Sequence, residues 1–201
     1  MPKCIVIADD LTGANATGVL LKKEGFDSLT LLRESVAKSA SLPDCDCLIT
    51  PTDSRAIPSE EAYERVASTL KLLKAPEVLH YAKRIDSTLR GNLGSETDAF
   101  LDVLGGEYMA VCVPCFPSSG RIIVGGHLLV NGVPLRKTEA AHDPKCPIHT
   151  TNAAELLRSQ SKYPTAAVPL DVVHDGAERL GRVLRELRAQ GVRNLVIDSV
   201  T

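Results

Sequence analysis

The chain has 201 residues, a formal net charge of −2, and 44% apolar, 24% charged and only 3% aromatic residues, with no Trp. That balance suits a globular protein large enough to build its own core, and a near-neutral, aromatic-poor surface argues against nucleic acid or membrane as partner. No apolar run reaches 18 residues, and the six Cys carry no secretory context, so reduced thiols and a cytoplasmic location are expected.

In chain order the pattern alternates strand and helix. Residues 3–8 form an apolar strand, 14–24 a helix closed by Gly25, 28–32 a second strand, and 35–41 a short polar helical stretch. A third strand is expected over 45–50 and an amphipathic helix over 59–74. That helix has Glu60 and Glu61 in its first turn and Lys71 and Lys74 in its last, matching the helix dipole. Residues 78–82 read as a strand, 92–104 as a helix and 108–113 as a strand. The fold class implied is α/β: a doubly wound, mainly parallel sheet flanked by helices.

The rhythm breaks at 122–135, where Asn131-Gly132 between apolar runs predicts a β-hairpin insertion. It resumes with a helix from the Asn152/Glu155 capping box to about 160 and a strand over 165–173, with Pro169 at an edge or bulge. A helix over 176–190 has Leu180, Val183, Leu184 and Leu187 on one face, and a last strand spans 194–199. No covering helix follows Thr201, so the chain reads as the first part of something longer, and an uncovered last strand could recruit a second copy.

Polar residues gather where strands end, the edge at which open α/β sheets bind ligands. Asp9-Asp10 ends the first strand ahead of Gly13 and a helix N-terminus. The paired carboxylates could bind hydroxyls, hold a cation or act as a base, or simply cap the helix. Thr52-Asp53-Ser54-Arg55 ends the third strand, as a ligand loop or a plain turn. Arg84, Asp86, Ser87 and Arg90 form the densest group, since arginine suits carboxylate or phosphate and the hydroxyl suits a polyol. Ser118-Ser119-Gly120-Arg121 either closes over a ligand or opens the hairpin.

Other chemistry is weaker. Thr138-Glu139 with His142-Asp143 lacks metal-ligand spacing, so no metal site is expected. Cys112 and Cys115 have redox or zinc spacing, but Pro114 and Pro117 deny the helix a dithiol site needs, and structural thiols are the better reading. No Gly-x-x-x-x-Gly-Lys-Ser/Thr phosphate loop is present. Residue chemistry alone thus gives a domain for a small hydroxylated anion.

Three blocks narrow this: Ile7-Ala8-Asp9-Asp10-Leu11-Thr12-Gly13-Ala14-Asn15, Lys83-Arg84-Ile85-Asp86-Ser87-Thr88-Leu89-Arg90-Gly91-Asn92, and Phe116-Pro117 with Gly120-Arg121. Together with Gly126, Asn131-Gly132, Thr138-Glu139 and Asp143-Pro144 they resemble the N-terminal sugar-binding domain of four-carbon acid sugar kinases, in order along nearly the whole chain. The resemblance implies that residues 1–201 are the sugar-acid-binding half of an ATP-dependent kinase phosphorylating threonate, erythronate or 3-oxo-tetronate at the terminal hydroxyl. ATP and Mg²⁺ would bind a separate C-terminal domain. Asp9 and Asp10 would be catalytic, and Gly13, Asp53, Arg55, Arg84, Asp86, Ser87, Arg90 and Arg121 substrate-binding, with Arg84 and Arg90 on the carboxylate. Ala16 departs from the pattern, where Asp is expected. The alternative is a stand-alone sugar-acid-binding module or regulator without kinase activity.

Overall fold

A computed structural model describes residues 1–32 and 43–201. The elements are β1 (Cys4–Ala8), α1 (Leu11–Lys23), β2 (Ser28–Thr30), β3 (Cys47–Pro51), α2 (Ser59–Leu73), β4 (His80–Arg84), α3 (Leu93–Leu104) and β5 (Ala110–Cys112). After a short 3₁₀ turn come β6 (Arg121–Val124), β7 (His127–Val130), β8 (Val133–Pro134), two more 3₁₀ turns, α4 (Ala153–Gln160), β9 (Thr165–Val168), α5 (Leu170–His174), α6 (Ala177–Ala189) and β10 (Asn194–Ile197). The polar stretch expected over 35–41 lies outside the described residues.

The α/β class is as expected, and the parallel strands divide into two sheets. One has the order β2-β3-β1-β4, the other β5-β10-β9, and a third, antiparallel sheet is β6-β7-β8. β1 and β3 read as unbroken apolar runs because both their faces are covered. Ile5, Ile7 and Leu48 pack under α2 and α3 with Val66, Leu70, Leu73 and Phe100, while Val6, Ala8 and Ile49 meet Ala14 and Leu21 of α1. Burying a side chain such as Leu70 contributes about 1.5–3 kcal/mol. In the second sheet Val168, Leu195 and Ile197 pack on Leu180, Val183, Leu184 and Leu187, the face read from the sequence of α6.

Three expectations are corrected. The strand predicted over 165–173 ends at Val168, and Leu170–His174 is a helix. Pro169 cannot extend the ladder, and the next amide, Leu170 N, donates instead to the Asp198 carboxylate at 3.2 Å. The single hairpin is a three-stranded meander: Gly125-Gly126 turns β6 into β7, and Asn131-Gly132 turns β7 into β8. All four turn residues have positive φ, from +51° to +78°, as two-residue hairpin loops of this kind require. The strand expected over 78–82 is shifted to His80–Arg84, and its outward residues His80 and Ala82 are exposed.

Candidate functional site

The parallel register determines what meets. Ala8 of β1 pairs with Pro51 of β3 and with Arg84 of β4, so the three strands finish in one row. Asp9-Asp10, Thr52-Asp53-Ser54-Arg55 and Asp86-Ser87 therefore emerge along a single edge. Asn92 ties two of these loops together, its Nδ2 donating to Ser54 O and Ile57 O at 2.9 Å each. Gly91 sits at φ +103°, and a Cβ there would lie 3.0 Å from the Arg55 side chain, so glycine lets the two loops close.

Arg55 is the hub. Its Nε donates to Asp9 Oδ2 at 2.7 Å and its Nη2 to Asp9 Oδ1 at 3.1 Å, a bidentate pair on a carboxylate only 3% exposed. Its Nη1 meets Asp10 Oδ2 at 2.7 Å, and its Nη2 lies 3.9 Å from Asp86 Oδ1. Burial works against this charged guanidinium, but the surrounding carboxylates outweigh it and raise its pKa. Asp10 also caps α1, accepting from Gly13 N at 2.6 Å; a Cβ on Gly13 would stand 2.8 Å from that oxygen, so the glycine permits the cap.

Asp86 is a second hub. It accepts from Arg90 Nε at 2.8 Å, Arg90 Nη2 at 3.1 Å and Thr88 N at 3.2 Å, and from the Thr88 hydroxyl. Burial opposes its ionisation, but the hydrogen bonds from Arg90 and Thr88 and the charges of Arg90 and Arg55 prevail and hold its pKa at about 2. Arg90 Nη1 reaches on to Asp143 Oδ2 at 2.9 Å, and Asp143 Oδ1 takes the amides of Lys145 and Cys146 at 2.9 Å each. Backbone strain collects here too, since Asp53 and Leu89 hold φ of +49° and +60°.

Three of the predicted residues are uncommitted. The Arg84 guanidinium, the Ser87 hydroxyl and the exposed Asp53 carboxylate have no hydrogen bond or ion pair among the described residues. Arg84, Asp86 and Ser87 line a cavity of about 280 Å³ together with Thr17, Lys83 and Phe116. Arg121 is not joined to this network: its Nη1 donates to Ser119 O in its own turn, and its buried Nε has no partner among the described residues. Ala16 is exposed on α1. Burial pushes the Cys112 thiol up to about 12, the opposite of a reactive thiolate, and among the described residues no cluster of three metal-ligating side chains occurs.

Two features escaped the sequence reading. Lys83 Nζ makes a buried ion pair with Glu96 at 2.6 Å and donates to Arg84 O at 2.8 Å, holding the strand end that presents Arg84. The cue was an acidic residue in the first turn of α3, two positions after a glycine. The other is the Asp143–Arg90 pair, since the sequence offers Asp143 as a metal-ligand candidate and as part of the family pattern but not as a partner for Arg90.

A family model described as a sugar-binding N-terminal domain matches residues 4–201. The D-erythronate kinase of Heliobacterium modesticaldum is 45% identical over 100% of this chain and 46% of its own length. The D-threonate kinase of Salmonella typhimurium is 40% identical over 98% of this chain and 46% of itself. A Haemophilus influenzae crystal structure superposes with a TM-score of 0.90 at 32% identity, covering 98% of this chain and 48% of that one. A Bordetella bronchiseptica structure, described as a domain-swapped dimer with bound citrate, gives 0.83 at 28% identity, covering 100% and 49%. The chain spans about half the length of the curated relatives it matches.

Proposed function

The chain belongs to the family of sugar-binding N-terminal domains, and from that premise we propose that it is the acceptor-binding half of an ATP-dependent kinase for a four-carbon sugar acid. Its substrate would be of the erythronate, threonate or 3-oxo-tetronate class. The observation that carries this reading is the contrast in commitment along the sheet edge. Arg55 and Arg90 are neutralised by Asp9, Asp10, Asp86 and Asp143, whereas the Arg84 and Ser87 side chains line a cavity and pair with no described residue. An uncommitted cation beside a hydroxyl is what a hydroxylated carboxylate would pair with. Citrate in the Bordetella relative is itself a hydroxylated carboxylate.

In this reading Arg84 takes the substrate carboxylate, Ser87 hydrogen-bonds a hydroxyl, and the Arg55 and Arg90 networks fix the loops that present them. Both carboxylates pair with Arg55, so we assign the catalytic role to Asp10 on exposure: its side chain is 28% exposed, whereas that of Asp9 is 4% exposed and held bidentately. Asp10 would accept the proton of the hydroxyl to be phosphorylated, while Asp9 holds Arg55. The sequence carries no Gly-x-x-x-x-Gly-Lys-Ser/Thr loop, and among the described residues no cluster of three metal-ligating side chains occurs. In this reading ATP and Mg²⁺ would bind the other half of the kinase. The relatives' kinase names favour this over a stand-alone binding module.

Calorimetric titration of the 201-residue chain tests the division of labour. A four-carbon sugar acid should bind and raise the melting temperature, and ATP should do neither. Tight ATP binding to this chain, or no binding by any acid of a threonate, erythronate and 3-oxo-tetronate panel, sinks the proposal.

A further inference from the structure

The two parallel sheets face each other across a crevice of about 390 Å³. One wall is β4 (Tyr81, Ala82, Lys83), the other β5 (Ala110, Val111, Cys112), and Phe100, Leu101 and Leu104 of α3 lie along it. Among the described residues β4 is hydrogen-bonded only to β1, and β5 only to β10, so each turns an edge unpaired among them toward the crevice. Yet the two strands follow one another in β4-α3-β5 order, and strand-helix-strand units of this kind normally place both strands in one parallel sheet. Free parallel edges on either side of an apolar crevice are the template for a strand.

The faces of the sheets say more. Ala82 is in register with Val6, which packs under α1, and Val111 is in register with Leu195, which packs under α6. On that shared face α1 covers one end and α6 the other. Between them Val111 and Val113 stay 52% and 48% exposed and Ala82 is bare. Crossover handedness predicts what belongs there. β3-α2-β4 and β4-α3-β5 step one way along the strands with their helices on the opposite face, while β1-α1-β2 and β9-α6-β10 step back with theirs on this one. A right-handed connection stepping back from the second sheet into the crevice therefore lays its helix over Ala82, Val111 and Val113.

We infer that the crevice between β4 and β5 is a docking slot for one parallel β-strand, with its crossover helix on the bare face, supplied by the other half of the full-length kinase. The relatives carry roughly as much chain again as is matched here. The insertion joins the two parallel sheets into one, of order β2-β3-β1-β4-inserted strand-β5-β10-β9. It sets the other half beside the ends of β4 and β5, where Arg84, Ser87 and Phe116 line the proposed substrate cavity. The inference rests on reading the chain as half of such a kinase.

Hydrogen exchange read by mass spectrometry tests it on two proteins: the 201-residue chain, and the same residues fused to the second half of the Heliobacterium kinase. The crevice-facing amides within 81–84 and 111–113, those not bonded to β1 or β10, should exchange readily in the short chain and be protected roughly tenfold or more in the fusion, with β1 and β10 little changed. Equal protection in both overturns the inference. So does a short chain that is dimeric with those amides already protected, which assigns the slot to a second copy. Val111→Asp gives an independent reading: tolerated in the short chain, it should lower the melting temperature of the fusion, and an equal shift in both counts against the slot. If the fusion does not fold, exchange at the aligned strands of the Heliobacterium kinase decides, open amides overturning the inference and protected ones supporting it. Phosphorylation of a sugar acid by the same samples is scored separately, so failure of the slot and failure of the proposed activity are distinguishable.

Discussion

Two strand-end edges in this molecule each bury a carboxylate, and they use it differently. At the end of β10, Asp198 is 1% exposed and accepts from the backbone amides of Gly125, Gly126 and Leu170 at 2.7, 2.8 and 3.2 Å. It stitches the β6-β7 turn and the start of α5 to the sheet through backbone amides. At the ends of β1 and β4, Asp9 and Asp86 bind side-chain guanidiniums, and the Arg84 and Ser87 side chains beside them have no partner among the described residues. A buried acid at a carboxyl edge is therefore not in itself a sign of function. Unspent donors and acceptors next to it are.

Removing each carboxylate separates the two edges most strongly. Asp198→Ala orphans three amides, and at about 1–3 kcal/mol for each buried unsatisfied group the loss should be about 3 kcal/mol or more. Urea denaturation reads it directly, with sugar-acid affinity of the still-folded variant unchanged; a loss of affinity at constant stability would reverse the assignment of the two edges. Asp86 should instead show itself through pH. Its pKa falls from 3.8 to about 2 on folding, equivalent to about 2.5 kcal/mol. Because the folded value is the lower one, that stability is present above the unfolded pKa and is lost as pH drops from about 4 through about 2. Denaturation midpoints across this window should slope in the parent chain and slope less in Asp86→Asn. Parallel slopes would show that Asp86 is not the titrating group.

Much of this was legible locally. Strand, acidic pair, glycine and helix in 4–15, and the run from Lys83 to Asn92, announce loops at a carboxyl edge because each signal lies within one turn of its neighbour. The division of Arg55, Arg84 and Arg90 into spent and unspent cations was not legible. It depends on Asp9 lying 46 residues from Arg55 and Asp143 lying 53 residues from Arg90, separations that only strand order brings together. Spacing gives Arg84 and Arg90 the same standing as carboxylate ligands, and only the pairing of Arg90 with Asp86 and Asp143 distinguishes them. Pro169 misled for another reason: Val168 to Val173 is apolar enough to serve either period, and a distant carboxylate, Asp198, captures the amide that starts the helix. The split between β4 and β5 is likewise a matter of partner choice, and no local pattern records it.

Among the cations the comparison sharpens further. Arg84→Gln removes a guanidinium that no described residue uses, so the melting temperature should hold while sugar-acid affinity falls about 10- to 100-fold, as for a lost charge-assisted pair. Arg90→Gln should cost stability as well, because Asp86 and Asp143 both lose their ion pair with Arg90. Calorimetry and thermal melts on the two variants give the answer together. Equal stability losses would show that Arg84 is structural after all.

The smallest effect falls on Ser87. Its hydroxyl is half-buried, lines the cavity beside Arg84 and has no partner among the described residues. Ser87→Ala therefore leaves no protein group unsatisfied and should not change the melting temperature. If the hydroxyl bonds the substrate, losing a neutral hydrogen bond weakens binding by about 1 kcal/mol, roughly fivefold. That loss should appear with a hydroxylated acid and vanish with a deoxy acid of the same length, whereas the Arg84→Gln loss should persist with both. An equal Ser87→Ala effect on the two ligands would mean that the side chain shapes the cavity rather than reads the hydroxyl, and would leave Arg84 as the group that selects an acid while another group selects the sugar.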